Sequence, residues 1–405
     1  MRAASSATRH AKIATALAMG TVLGVSVMAS PGHAEEIGII ANAESADAVH
    51  ESYIVEFKEG REMDISAEYG VRVVEEYDSV LNGMLVNASR GQAQQIAADP
   101  SVKTVEQNTA VHVTSNTVTP PETLSCGLDR IDQPSLPLDG SFTYPASAGA
   151  GVDIYMVDTG IDYSHPDFES RAKPGFDAFG GDGSDNFGHG THMAGIAGGA
   201  EHGVAKKATL ISVKVVNAQG EGTLDGLLKG LEWITETASG PSVVNFVIGL
   251  PPSDVLDDAV RRSIDSGIVY SVEGGAISSN VADASPARVA EAITVGASDC
   301  DDQVPAFSSY GQGMDLYAPG VDITSTWLGG GTYTMSGTSV AGAHVAGAAA
   351  LYLSGHRSAT PKQVSEALDG GAVVGTLTGV PDDGTPNKLL QIVEGHPWVS
   401  WRDNS

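Results

Sequence analysis

An Asp, a His and a Ser stand far apart in this chain, each where its side chain can do acid–base or nucleophilic work: Asp158, His189 and Ser339. Asp158 closes an apolar run and is followed by Thr159-Gly160, a place at a sheet edge from which a carboxylate can orient an imidazole. His189 lies between Gly188 and Gly190, which permit close backbone approach, and precedes a small-residue helical run over 193–199. That position suits a general base. Ser339 follows Gly337-Thr338 and opens an Ala- and Val-rich run over 341–353 that reads as a buried helix. Free N–H groups at a helix start can hold the charge of a tetrahedral oxyanion, which makes Ser339 a candidate nucleophile. Taken singly, each residue has a plainer reading: an Asp at a strand-to-loop junction forms turns, and a Ser at a helix start is an N-cap. His192 does not make a zinc pair with His189, because that pattern needs a Glu after the first His and a spacing of four. It reads as a structural histidine.

The elements that must carry these residues alternate along the chain. Apolar, β-rich runs over 152–157, 210–216, 243–248, 268–272 and 292–295 predict strands. Between them Leu224, Leu227, Leu228, Leu231 and Ile234, and then Leu256, Val260 and Ile264, recur at helical spacing. Thr360-Pro361 supplies an N-cap and a first-turn Pro to a late helix ending near Gly370-Gly371. Continuous apolar strands with intervening amphipathic helices imply an α/β, three-layer fold with a mostly parallel central sheet. Ahead of it, residues 53–58 alternate like a strand, residues 89–98 read as a short helix, and a second strand follows over 102–106. These make a small α+β unit. Between Val113 and Ser125 the chain is polar and broken by Pro120-Pro121, an exposed linker.

The chain has 405 residues, 41% of them apolar, enough for one sizeable core and a smaller accessory unit. A net charge of -28 excludes attraction to a phosphate backbone as an organising principle, so no nucleic acid is expected. Arg2, Arg9 and Lys12 precede an apolar run over 13–29 and the small residues of Pro31-Gly32-His33-Ala34. This has the form of a secretory signal over 1–34 cleaved after Ala34; Gly20 and Gly24 interrupt the run, and a membrane anchor is not expected. Cys126 and Cys300 are the two cysteines, and spacing does not say whether they pair.

In their order, Asp158-Thr159-Gly160-Ile161-Asp162, Gly188-His189-Gly190-Thr191-His192 and Ser336-Gly337-Thr338-Ser339-Val340 resemble the three catalytic blocks of subtilisin-like serine proteases. Phe307-Ser308-Ser309-Tyr310-Gly311, Tyr317-Ala318-Pro319-Gly320, Trp327-Leu328-Gly329 and Thr385-Pro386-Asn387 resemble the proteinase K and aqualysin branch. The segment over about 52–112 resembles the family's inhibitory propeptide. The resemblance implies a secreted endopeptidase with a signal peptide over 1–34, a propeptide over 35–118 and a peptidase domain over 119–405. Asp158, His189 and Ser339 would form its triad, and the Ser339 N–H and Thr338 hydroxyl its oxyanion donors. Gly220-Glu221-Gly222 would form one edge of the substrate cleft, with Val247, Ile248 and Gly249 in the opposing wall. Asp315 with the carbonyls of Ala290 and Ala292 would bind a structural calcium. No catalytic cofactor is implied; the partners are protein or peptide substrates and the chain's own propeptide, on a monomer.

The resemblance breaks at several positions in one neighbourhood. The family's Val-Ala-Ala-Gly-Asn segment reads here Ser271-Val272-Glu273-Gly274-Gly275, so that Gly275 removes a side-chain oxyanion donor. Asn280 lies five residues on. Val340 and Ala343 stand where the family has Met and Pro, and Val247 and Leu250 where it has Ser and Gly. Glu273 adds a carboxylate beside the pocket, either favouring a basic residue before the scissile bond or facing solvent. A slowed enzyme is expected; the alternative is an inert relative that binds peptides without cleaving them.

Overall fold

The computed structural model describes residues 37–61, 63–113 and 125–392. The expected signal segment and residues 114–124 of the linker lie outside them.

Two antiparallel turns of chain build the first unit: β1 (Ala48–Phe57), α1 (Ile65–Tyr69), β2 (Arg72–Tyr77), β3 (Gly83–Asn87), α2 (Arg90–Ala97) and β4 (Val102–His112). A capping box explains the sharp start of α2, since Ser89 caps the Gln92 N–H and Gln92 reaches back to the Ser89 N–H. One sheet face packs on the two helices through Val55, Ile65, Ile96 and Val105. The other face carries Ile54, Tyr77 and Leu85 onto the larger unit.

The larger unit starts with α3 (Cys126–Ile131), β5 (Asp153–Asp158), β6 (Ala172–Asp177), α4 (His189–Gly198), β7 (Thr209–Lys214) and β8 (Glu221–Thr223). It continues with α5 (Leu224–Thr237), β9 (Ser242–Phe246), α6 (Asp254–Asp265), β10 (Val269–Glu273), β11 (Ile293–Ser298) and β12 (Leu316–Pro319). Then come the hairpin β13 (Ile323–Trp327) and β14 (Gly331–Met335), α7 (Thr338–Gly355), α8 (Pro361–Gly371), β15 (Val373–Val374) and β16 (Lys388–Leu389). The central sheet runs β15-β16-β12-β11-β10-β9-β5-β7-β6. All its pairs are parallel except β15 with β16.

Strand alternation sorts the two cores. Ile154 and Met156 of β5 enter the core that holds α4, α7 and α8, while Tyr155 and Val157 enter the one that holds α5 and α6. On β10, Val269 lies on the α7 side and Tyr270 and Val272 on the other. Period two therefore sends Ser271 and Glu273 toward α7, and the Ser271 hydroxyl does donate to the Gly342 carbonyl at 2.8 Å.

Cys126 and Cys300 are disulfide-bonded, which the spacing had left open. Beside the bridge the fully buried Arg130 makes a two-pronged pair with Asp302, Nε to Oδ1 at 2.6 Å and a terminal nitrogen to Oδ2 at 3.0 Å, and donates to the Gln133 carbonyl. Removing one partner strands the other charge in the interior. Arg130→Met is expected to cost about 3–5 kcal/mol, read as a lowered urea midpoint with unchanged slope.

Candidate active site

The C-terminal edge of the parallel sheet brings the three dispersed residues together, the usual place for ligands in open α/β sheets. Asp158 ends β5 with no exposed surface, and His189 opens α4 almost fully buried. The His189 Nδ1–H points at both carboxylate oxygens of Asp158, at 2.8 Å each. Burial opposes a charge on His189, yet Asp158 first, then Glu273 and Asp185, hold its pKa above the ordinary value. An imidazolium is therefore favoured here, as a general base needs once it has taken a proton.

Close approach makes this pair possible. A Cβ on Gly190 would lie 2.2 Å from the Gly160 carbonyl oxygen, and one on Gly188, at φ +113°, 2.4 Å from the Trp327 ring. The approach is locked by Asp185, a residue that sequence reasoning passed over. Its carboxylate accepts from the Thr159 hydroxyl, the N–H groups of Phe187 and Gly188, and the N–H and hydroxyl of Thr191. Its signal was present: an Asp three residues before a Gly-His-Gly turn can cap that turn. His192 is structural as expected, donating Nε2–H to the Tyr333 carbonyl at 2.9 Å, with burial lowering its pKa to about 3.

Ser339 is the second residue of α7, whose interior is buried along most of its length. Its N–H belongs to the first turn, where no carbonyl of the helix is in reach. The hydroxyl donates to Oε2 of Glu273 at 2.7 Å, and the Thr338 hydroxyl donates to the same oxygen at 3.0 Å. The expectation of a solvent-facing carboxylate is thus corrected. Alternation turns the side chain inward, and the hydroxyls at the start of α7 receive it. Burial pushes the Glu273 pKa up, against the hydrogen bonds from Ser339 and Thr338 and the charge of His189. His189, Glu273, Ser339 and Val340 line one small cavity of ≈ 30 Å³.

Gly275 lies past the end of β10 at φ +96°, and a Cβ there would be 3.2 Å from the Ser309 hydroxyl. A side chain at 275 is strained by the backbone alone. Asn280 caps the turn over 281–283 through the Ala282 N–H at 3.0 Å, and is held there. Val247 and Ile248 are buried, and Gly249 borders Oε1 of Glu273 at 3.8 Å from an added Cβ.

Gly220, Glu221 and Gly222 form an edge that the first unit covers. β4 pairs antiparallel with β8, His112 opposite Glu221 and Val111 opposite Gly222, and the Val113 N–H donates to the Gly220 carbonyl at 3.0 Å. Glu232 of α5 fixes the same unit by accepting the N–H groups of Asp78, Ser79 and Val80 at 2.7–2.9 Å. On the far side of the sheet edge, Asp315 accepts the Thr294 N–H at 2.7 Å, and burial drives its pKa up to about 6.

Known proteins resemble this chain in sequence and fold. The subtilase family model matches residues 149–389, and the peptidase inhibitor I9 model matches residues 41–114. The chain belongs to the subtilase family, with an I9 unit ahead of its subtilisin-like α/β domain. An extracellular serine proteinase of Thermus sp. (strain Rt41A) is 48% identical over 246 residues, 60% of each chain. Alkaline serine exoprotease A of Vibrio alginolyticus is 42% identical over 266 residues, 65% of this chain and 49% of that one. The match thus spans about half to three fifths of these curated relatives. The crystal structure of a cold-adapted subtilisin-like serine proteinase superposes with a TM-score of 0.64 at 41% identity, covering 67% of this chain and 98% of that one.

Asp185→Ala leaves its buried donors without acceptors around the His189 turn. The expected loss is at least about 3 kcal/mol, measured by urea unfolding of the full chain.

Proposed function

We propose that the chain is a secreted serine endopeptidase, made as a zymogen, that hydrolyses peptide bonds through an acyl-enzyme with Asp158, His189 and Ser339 as its triad. The observation that carries this reading is the buried Asp158–His189 pair, set against the N-terminus of a buried helix that presents Ser339 to the same cavity. When the Ser339 hydroxyl turns from Glu273 to Nε2, His189 takes its proton as Oγ attacks the peptide carbonyl. Asp158 holds the Nδ1–H tautomer and stabilises the cation; the leaving amine then receives the proton, and water repeats the cycle on the acyl-enzyme. The Ser339 N–H and the Thr338 hydroxyl serve the oxyanion, while neither Gly275, whose side-chain direction faces Ser309, nor Ala276, which lines the cavity, offers a donor. In a subtilisin, loss of one such donor costs about 10²–10³ in turnover. A slowed enzyme follows.

The pairing of β4 with β8 supports the first unit as an intramolecular inhibitor. It places a strand of the chain on the edge proposed for an extended protein or peptide substrate, with Val247, Ile248 and Gly249 across the cleft. We propose the domain organisation read from the sequence: a signal over 1–34, a propeptide over 35–118 released in the linker, and a peptidase domain over 119–405, acting as a monomer. Secreted wild-type protein is expected to lose the segment before about residue 119 and to react with a fluorophosphonate, whereas Ser339→Ala keeps the segment. Intact mass measures both. An unprocessed, unreactive wild type would instead establish the inert, peptide-binding relative.

Asp315 fits a structural calcium. Its enclosed carboxylate accepts a single N–H and is penalised by burial, a penalty that a hard cation with oxygen ligands such as the Ala290 and Ala292 carbonyls would remove. Because burial raises the folded-state pKa, ionising Asp315 destabilises the metal-free fold as pH rises through about 6, and calcium reverses this only where the group is ionised. Calcium at about 100 times its Kd is expected to stabilise wild type by about 2.7 kcal/mol at pH 8. The gain should shrink below pH 6 and vanish in Asp315→Asn, as thermal denaturation with and without chelator would read out.

A further inference from the structure

Glu273 stands where neither the triad nor the cleft needs a carboxylate. One of its oxygens is within hydrogen-bond distance of both the nucleophile and Thr338, the hydroxyl proposed for the oxyanion. A carbonyl carbon bonded to Ser339 Oγ therefore carries its oxygen into the reach of Oε2. We propose that Glu273 is a further catalytic residue: its protonated carboxyl donates to the oxyanion in a cavity where Ala276, the residue past β10 that lines it, offers no donor, and its ionised form holds Ser339 inactive. The inference rests on the triad reading.

In the ionised form, Oε2 accepts the Ser339 proton that His189 should take, and places negative charge where the oxyanion develops. Both effects oppose attack. In the protonated form, Oε2–H is a donor. Ser339 Oγ then gives its proton to His189 Nε2 and bonds to the carbonyl carbon. The carbonyl π pair moves to oxygen, which accepts hydrogen bonds from Oε2–H, the Ser339 N–H and Thr338. Collapse restores the carbonyl and breaks the C–N bond, and His189 protonates the amine. Glu273 keeps its proton throughout.

The surroundings favour this cycle over a bystander role. The charged groups facing Glu273 are His189 at the start of α4 and Asp158 at the end of β5. α7 brings the hydroxyls of Thr338 and Ser339, β11 brings Val295 in register, and the segment after β9 brings Gly249, none of which ionises. Burial and Asp158 favour the protonated carboxyl; the His189 cation and the two hydroxyls favour the ionised one. Activity needs Glu273 protonated and His189 neutral, one of the two arrangements of the singly protonated pair, the other being the ion pair. The rate must fall on both sides of its maximum, through protonation of His189 at low pH and ionisation of Glu273 at high pH.

The decisive experiment compares kcat/KM against pH for wild type, Glu273→Gln and Glu273→Ala, using a chromogenic peptide. Glutamine donates at every pH, so Glu273→Gln should lose the alkaline limb, keep the acid limb and exceed wild type at pH 9 by at least about 10-fold. Alanine donates at none; it should also lose the alkaline limb but remain about 10²–10³ below Glu273→Gln, the cost of one such donor in a subtilisin. Glu273→Ala as fast as Glu273→Gln, or Glu273→Gln slower than wild type throughout, overturns the proposal. Fluorophosphonate labelling of wild type alone decides the matter if a variant fails to fold. Labelling that declines above the optimum supports Glu273, and labelling that reaches a plateau overturns it while leaving the triad intact. Absence of both processing and labelling at every pH in all chains overturns the protease reading and this inference together.

Discussion

The contact between Asp158 and His189 is the constraint to which the surrounding chain is fitted. Both groups lie away from water, so each would be costly alone, and the pair survives only because the geometry is closely held. That requirement explains three otherwise unrelated features. Gly190 has no Cβ because the Gly160 carbonyl occupies its place; Gly188 turns with positive φ against the Trp327 ring; and Asp185 absorbs the donors of the turn between them. The Lys214 ammonium, buried at the end of β7, then donates to the Thr159 carbonyl and braces the strand end from below.

A second constraint is the closed cleft edge. A short strand such as β8, left unpaired, presents free backbone groups to any extended chain. β4 covers it, and the same backbone bonds would receive a substrate strand. On the proposed reading, inhibition and recognition are the same interaction with different chains. The grip of Glu232 on the N–H groups of residues 78–80 makes the first unit hold at a second point, remote from the edge.

Much of this was legible in the sequence, for reasons that differ by residue. Asp158, His189 and Ser339 were found because each sits at the end of a strongly patterned element, where an apolar run stops or a buried helix begins. The helix α2 was readable because Ser89 and Gln92 form a local capping box, and α8 because Thr360 does the same with Gln363 and Pro361 opens its first turn. β6 escaped because Ala172–Asp177 carries Lys173, Pro174 and Gly175 at a sheet edge, where polar residues and Pro are tolerated. Asp185 escaped although four of its five donors lie within six residues of it, because the fifth, the Thr159 hydroxyl that ties the turn to the end of β5, is brought to it only by the fold.

Glu273 is the instructive case, since its identity was noticed and its direction was not. Apolar periodicity on β10 is masked by Ser271, so the strand reads as uniformly buried and the face of its last residue is lost. Once Tyr270 and Val272 are assigned to the α5 and α6 side, Glu273 can only point at α7, and α7 presents a helix start with two hydroxyls. A carboxylate placed there carries the cost of burial, which the negative charge of Asp158 increases and which the two hydroxyls and the His189 cation offset only in part. A sequence that tolerates this cost, while offering only Ala276 from the segment past β10 to the cavity, places a proton-bearing group at the start of the nucleophile's helix. The same field that penalises the anion stabilises the neutral acid, and a neutral acid at that point is a hydrogen-bond donor.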